Sequence, residues 1–262
     1  MFYWIYDYPT GCMGALFAFV FVATTCLGIF LLRPIVRSWA HSERRANDMV
    51  GFILSSFSVL YGLLLGLLAV ATYQNFSSVN DIVTKEASSL AALYRDLGGY
   101  PQPICGSLRD KLREYTRYVI EDSWPQQRQC IVPSGGSDRI TTFFDELLTF
   151  NPTEPSREIV HAETLRQFNN LTEIRRSRLA NVSTGIPAVL WWVVAVGALI
   201  NIALICMLEM EVHLHVLLGG ALSLFLGIVI FLIAAMDNPF RGDVSVGPEA
   251  FQLVYESLMK PK

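Results

Sequence analysis

Residues 49–71 read MVGFILSSFSVLYGLLLGLLAVA, a run with no Asp, Glu, Lys or Arg. An α-helix rises ~1.5 Å per residue, so about 20 apolar residues cross a hydrocarbon layer of roughly 30 Å, and this run has that length. Residues 14–32, 186–208 and 216–236 are equally free of charge and of similar length. Working outward, the first two runs are joined by a short basic loop and the last two by a very short turn, while the segment between the pairs, 73–184, is polar. The expected fold is all-α: a polytopic membrane protein with four transmembrane helices in two hairpins and a helical extramembrane domain between them. The parts are hairpin 1 (1–72), the helical domain (73–184), hairpin 2 (185–236) and a C-terminal tail (237–262).

The hydrophobic fraction of 52% is gathered into blocks, which excludes an ordinary soluble core and makes the lipid bilayer the first partner. A net charge of −3, with Lys and Arg scattered through the insert, provides no basic surface for nucleic acid. Arg33, Arg37, Arg44 and Arg45 concentrate after the first span, and short loops rich in Arg stay on the cytoplasmic side. This predicts a multi-pass protein of the cell (inner) membrane with its insert on the external or periplasmic side. Lys85, Arg175, Arg176, Arg178 and Arg241 argue the opposite way from the insert's side.

Within the insert, Val83, Ala87, Leu90, Tyr94 and Leu97 repeat at helical spacing, as do Leu108, Leu112, Tyr115 and Val119. The second of these helices is expected to end near Trp124-Pro125. A third, carrying Ile140, Phe144 and Leu147, stops before Asn151-Pro152, and a fourth covers about 155–180 and runs nearly into the third span. Cys12, Cys26 and Cys206 stand in or beside membrane helices. Cys105 and Cys130 lie in the insert, where they could form a disulfide in an oxidising compartment or remain two unrelated thiols.

In the second span Gly51, Ser55, Ser58, Gly62, Gly66 and Ala69 are spaced by three and four, so small residues line one face. Such a strip lets helices pack closely. Alternatively it lines a water-filled path in an oligomer, with Phe57, Tyr61 and Leu65 on the adjoining face as apolar rings that gate by dewetting. Gly219, Ser223 and Gly227 form a second ladder, suited to helix contact, and Asn201 needs a partner for its amide within the third span. Glu209 with His213, or Glu211 with His215, has the spacing of a helical metal pair but lacks a third ligand, so no metal or cofactor is expected. No catalytic motif is present, and an enzyme is the disfavoured class.

Directly after the last span comes Asp237-Asn238-Pro239-Phe240-Arg241-Gly242-Asp243. This resembles the Asn-Pro-Phe segment that follows the last membrane helix of bestrophin chloride channels. Asn47-Asp48-Met49-Val50-Gly51, Glu86-Ala87, Leu93-Tyr94-Arg95-Asp96, Arg178-Leu179 and Ile186-Pro187 are similar to the bacterial bestrophin-like domain family of four-span membrane proteins. The resemblance implies a homo-oligomeric ion channel passing small inorganic ions, anions foremost, with the second span nearest the pore and the large domain in the cytosol. Asp243 and Glu249 stand alone where bestrophins carry an acidic calcium cluster, so calcium gating does not carry over. The alternative is a non-conducting envelope scaffold or sensor whose helical domain binds a partner.

Overall fold

The structure is a computed structural model that describes residues 3–40 and 46–260, with side chains for 5–36 and 46–260. Arg44 and Arg45 of the basic loop lie outside the described residues. The described residues are helical and contain no strand: α1 (Thr10–Ala40), α2 (Ala46–Asp96), α3 (Ile104–Tyr118), α4 (Trp124–Arg128), α5 (Gly135–Thr149), α6 (Pro155–Ala180), α7 (Ala188–Cys206), α8 (Val212–Met236) and α9 (Glu249–Val254). Four of these helices are long and apolar enough to cross a membrane.

Two compact units are present. Unit 1 comprises 1–74, 185–237 and 242–244, and unit 2 comprises 75–184, 238–241 and 245–262. In unit 1, α1 packs against α8 and α7. The α1–α8 approach is close because Gly227 has no side chain: a Cβ there would stand 3.2 Å from the Phe17 carbonyl and from the Phe21 ring. Gly219 likewise faces Ile29 of α1 and Ile205 of α7, and Ser223, fully buried, turns its hydroxyl back to the Gly219 carbonyl at 2.8 Å. α1 does not stop at Pro34 but continues to Ala40, so Arg33 and Arg37 belong to the helix rather than to a loop. A proline inside a helix removes one hydrogen bond, which neighbouring turns can absorb.

Unit 2 is built on Leu90, Leu93, Leu97, Leu108, Leu112 and Leu147, all fully buried. Each such side chain contributes roughly 1.5–3 kcal/mol by leaving water. Two boundaries differ from expectation. The second insert helix does not end at Trp124-Pro125: a π-helical turn over Val119–Ser123 carries it into α4. Pro125 has no N–H to donate to the preceding turn, and the wider π register accommodates that loss. The tail, in turn, is not a separate segment, because Phe240, Val246, Phe251 and Met259 are buried in the unit 2 core.

The pairing of Cys105 with Cys130 is not made, and all five cysteines are free. Cys105 is buried in the unit 2 core, while Cys130 sits in a turn at φ 61° with its sulfur 3.2 Å from the Asn238 Nδ2 donor.

Candidate conduction face

Within the membrane span the sides of α2 differ in packing rather than in polarity. Leu54, Tyr61, Leu65, Leu68 and Thr72 are buried. They recur at steps of seven, four, three and four residues, and Tyr61, Leu65 and Leu68 pack with Val194 and Ala198 of α7 and with Leu226 and Ile230 of α8. The small-residue strip points elsewhere. A Cβ at Gly51, Gly62 or Gly66 would meet open space, and Ser55 is exposed with its hydroxyl donated to its own Gly51 carbonyl at 2.9 Å. Phe52, Val59 and Leu63 share this outward side and are 62–74% exposed. Among the described residues no side chain comes within contact of a Cβ at Gly51, Gly62 or Gly66, whereas Ala69 packs toward α7 and α8.

Three of the expected lining residues are placed inside instead. The Tyr61 hydroxyl donates to the Val194 carbonyl at 2.6 Å, and its ring lies flush on Gly197, where any side chain would collide with it. Leu65 is 4% exposed within the same contact. Ser58 accepts from the Asn201 amide at 3.1 Å, which gives that polar group of α7 its partner. The reason is angular: successive residues turn 100°, so Tyr61 and Leu65 stand roughly 60–100° from Gly62 and face α7 when Gly62 faces outward. Phe57 is half-buried, stacked on Tyr61 with ring centroids 5.9 Å apart.

The helix ends are fastened by the motif residues. Asn47, near the start of α2, exchanges two hydrogen bonds with the backbone of Glu209 in the α7–α8 turn, at 2.8 and 3.2 Å. His215 is held by the Ile205 carbonyl at 2.9 Å, and no group of three or more His, Cys, Asp or Glu converges among the described residues. Just past α8, Asp237 accepts from the Ile186 N–H at 2.5 Å and the Trp191 indole at 3.3 Å, capping the approach to α7. Burial pushes its carboxyl up, and those two donors pull it back. In unit 2 the Asn238 side-chain oxygen accepts from the Phe240 N–H at 3.2 Å, an Asx turn, and the Pro239 carbonyl accepts from Val246 at 2.8 Å. Phe240, fully buried, meets Trp124 edge-on at 5.9 Å.

A model of the bestrophin-like domain matches residues 19–251. The chain belongs to the bestrophin-like domain family. Mutant structures of a bacterial bestrophin homologue from Klebsiella pneumoniae share the fold: one at TM-score 0.67 and 13% identity covers 91% of this chain and 96% of that one. A second, at TM-score 0.64 and 14% identity, covers the same shares. No curated protein sequence matches.

Two features of this bestrophin-like chain escaped the sequence reading. The first is an ion pair at the centre of unit 2. Arg178, 1% exposed, donates from Nε to Glu86 at 2.6 Å, from Nη2 to Glu86 at 3.0 Å and from Nη1 to Gln127 at 2.7 Å. Tyr115 donates to the same carboxylate at 3.3 Å, and burial together with the Glu86 charge pushes its phenol up. Trp124 and Phe251 present their rings to the guanidinium at 5.4 and 5.7 Å. The second feature is the use of Asp243. Its carboxylate accepts from the Thr10 N–H at 2.8 Å and the Thr10 hydroxyl at 2.9 Å, so it caps the first turn of α1.

Proposed function

We propose that this protein is a homo-oligomeric ion channel of the inner membrane, conducting anions, whose path is lined by the outward face of α2. The observation that carries the reading is that face itself. Gly51, Ser55, Gly62 and Gly66 are open and uncharged on a membrane helix that packs through Tyr61, Leu65 and Leu68 on another side. Membership of the bestrophin-like family supports conduction, and the bestrophin resemblance supports anions and assembly around a central axis. In this reading the apolar collar is formed by Val59 and Leu63, both exposed beside the strip, and Tyr61 and Leu65 serve to hold α2 against α7. With no fixed charge along the span, selection falls to the Ser55 hydroxyl, exposed backbone and the width of the collar.

Purified protein in planar bilayers under a chloride gradient tests this. Unitary currents reversing near the chloride potential are expected, altered by Val59→Ala and Ser55→Ala. Silent bilayers, or currents indifferent to both substitutions, overturn the assignment and favour a scaffold or sensor. The basic loop after the first span supports an external unit 2, whereas the bestrophin resemblance supports a cytosolic one, and we take the cytosolic reading. A cysteine introduced at Gln129 is then labelled by an impermeant maleimide only after the cells are opened, whereas labelling of intact cells returns unit 2 to the outside.

A further inference from the structure

Between α2 and α7 in unit 1 an open groove of about 480 Å³ is lined almost wholly by hydrocarbon. Leu60 and Leu64 form one wall, Trp192, Val193 and Val196 the other, and Tyr61 against Gly197 makes the floor. The floor exists because Gly197 has no side chain, so the Tyr61 ring sinks onto the α7 backbone and leaves a channel above it. Its one polar atom is satisfied by the Val194 carbonyl at 2.6 Å. The Trp192 indole N–H, near the amino-terminal end of α7, is the one other polar group among the lining side chains, so the groove selects an occupant that is apolar along nearly all its length.

Length and position narrow the choice. The groove extends along α7 from Val189 to Ile200, eleven steps of ~1.5 Å, or about 16 Å, which is half of a roughly 30 Å hydrocarbon layer. It begins one residue into α7, at a membrane face, and ends near the midplane. An occupant of that shape enters from the headgroup level and stops where one leaflet stops. Direction settles the source. Leu60 and Leu64 stand two residues before and two after Gly62, which turns each about 160° away from it around α2. On the reading that the Gly62 face looks toward the axis shared by the subunits, the groove looks away from it, into lipid.

We propose that this groove seats one acyl chain of a membrane phospholipid, in the leaflet at the amino-terminal end of α7. Native mass spectrometry of the full chain, purified from its membrane in mild detergent, tests this directly. One retained phospholipid per protomer is expected. Val193→Trp and Val196→Trp, at positions 45% and 50% exposed, fill the groove without entering the core and are expected to reduce retention at least tenfold. Leu217→Trp, at a position 68% exposed on α8, is expected to keep the lipid. Equal retention in the groove variants, or none in the native chain, overturns the proposal, as does a Val196→Cys variant that cross-links two chains. The readout is mass rather than current, so the two readings fail separately: retained lipid with silent bilayers counts against conduction, and currents without lipid count against the groove.

Discussion

Arg178→Met removes a guanidinium from the middle of unit 2 and leaves the Glu86 carboxylate, 0% exposed, with the Tyr115 hydroxyl at 3.3 Å as its remaining side-chain donor. Breaking a buried ion pair from one side costs about 3–5 kcal/mol, because the surviving charge stays out of water without its partner. Here three charge-assisted bonds are lost together, and Gln127 also loses the donor to its side-chain oxygen. For a domain of this size a kcal/mol moves Tm by roughly 3–5 °C, so a fall of about 10–20 °C is expected. The control is the double variant Glu86→Leu with Arg178→Met, which removes both charges and keeps apolar bulk between Trp124 and Phe251. It should recover at least about 2 kcal/mol relative to the sum of the single losses, since replacing a buried pair by apolar side chains is often close to neutral. Thermal unfolding in detergent, followed by near-ultraviolet circular dichroism and tryptophan fluorescence, measures all four proteins. Single variants within about 1 kcal/mol of the native chain, or a double variant equal to the sum of the singles, refute the reasoning.

Three further predictions rest on separate contacts. Gly197→Val drives a side chain into the Tyr61 ring and should destabilise unit 1 by about 1–3 kcal/mol or more, whereas Gly66→Val, in open space, should leave Tm nearly unchanged while altering conduction. Thermal shift and bilayer recording on the same preparations separate the two effects. Burial holds the His161 imidazole below its ordinary value of 6.5, so the folded state favours the neutral ring. Its contribution to stability is complete above that value and is lost as pH falls through the lower folded value; unfolding midpoints between pH 8 and 5 should decline less steeply in His161→Gln. Asn47→Ala removes both bonds to Glu209 and should cost about 1–2 kcal/mol, detectable as faster proteolysis in the α7–α8 turn.

The four spans and the insert helices were legible because burial in lipid or in a bundle imposes length and periodicity, as at Leu108, Leu112 and Tyr115. Glu86 and Arg178 were legible only as fragments of family motifs. They lie 92 residues apart, and no local pattern announces that two charges will meet. The tail was missed for a similar reason: Phe240, Val246, Phe251 and Met259 follow no helical period, yet each fills unit 2. On α2 the periodicity revealed two distinct faces but not which one meets α7, since Gly62 and Tyr61 are neighbours in angle as well as in sequence. Only the seat of Tyr61 on Gly197, 136 residues away in the chain, decides that orientation. The cysteines show the limit from another side, since proximity to turns says nothing of whether two sulfurs approach.

Within unit 2, α2 turns Val83, Glu86, Ala87, Leu90 and Leu93 inward together. The buried acid and its apolar neighbours therefore share a single angular phase along one helix. Inserting one residue between Ala87 and Leu90 would swing Leu90 and Leu93 by about 100° relative to Glu86, while inserting seven would change the phase by only about 20°. Tolerance to length changes in this stretch should accordingly follow the pitch of the helix, with seven accepted more readily than one.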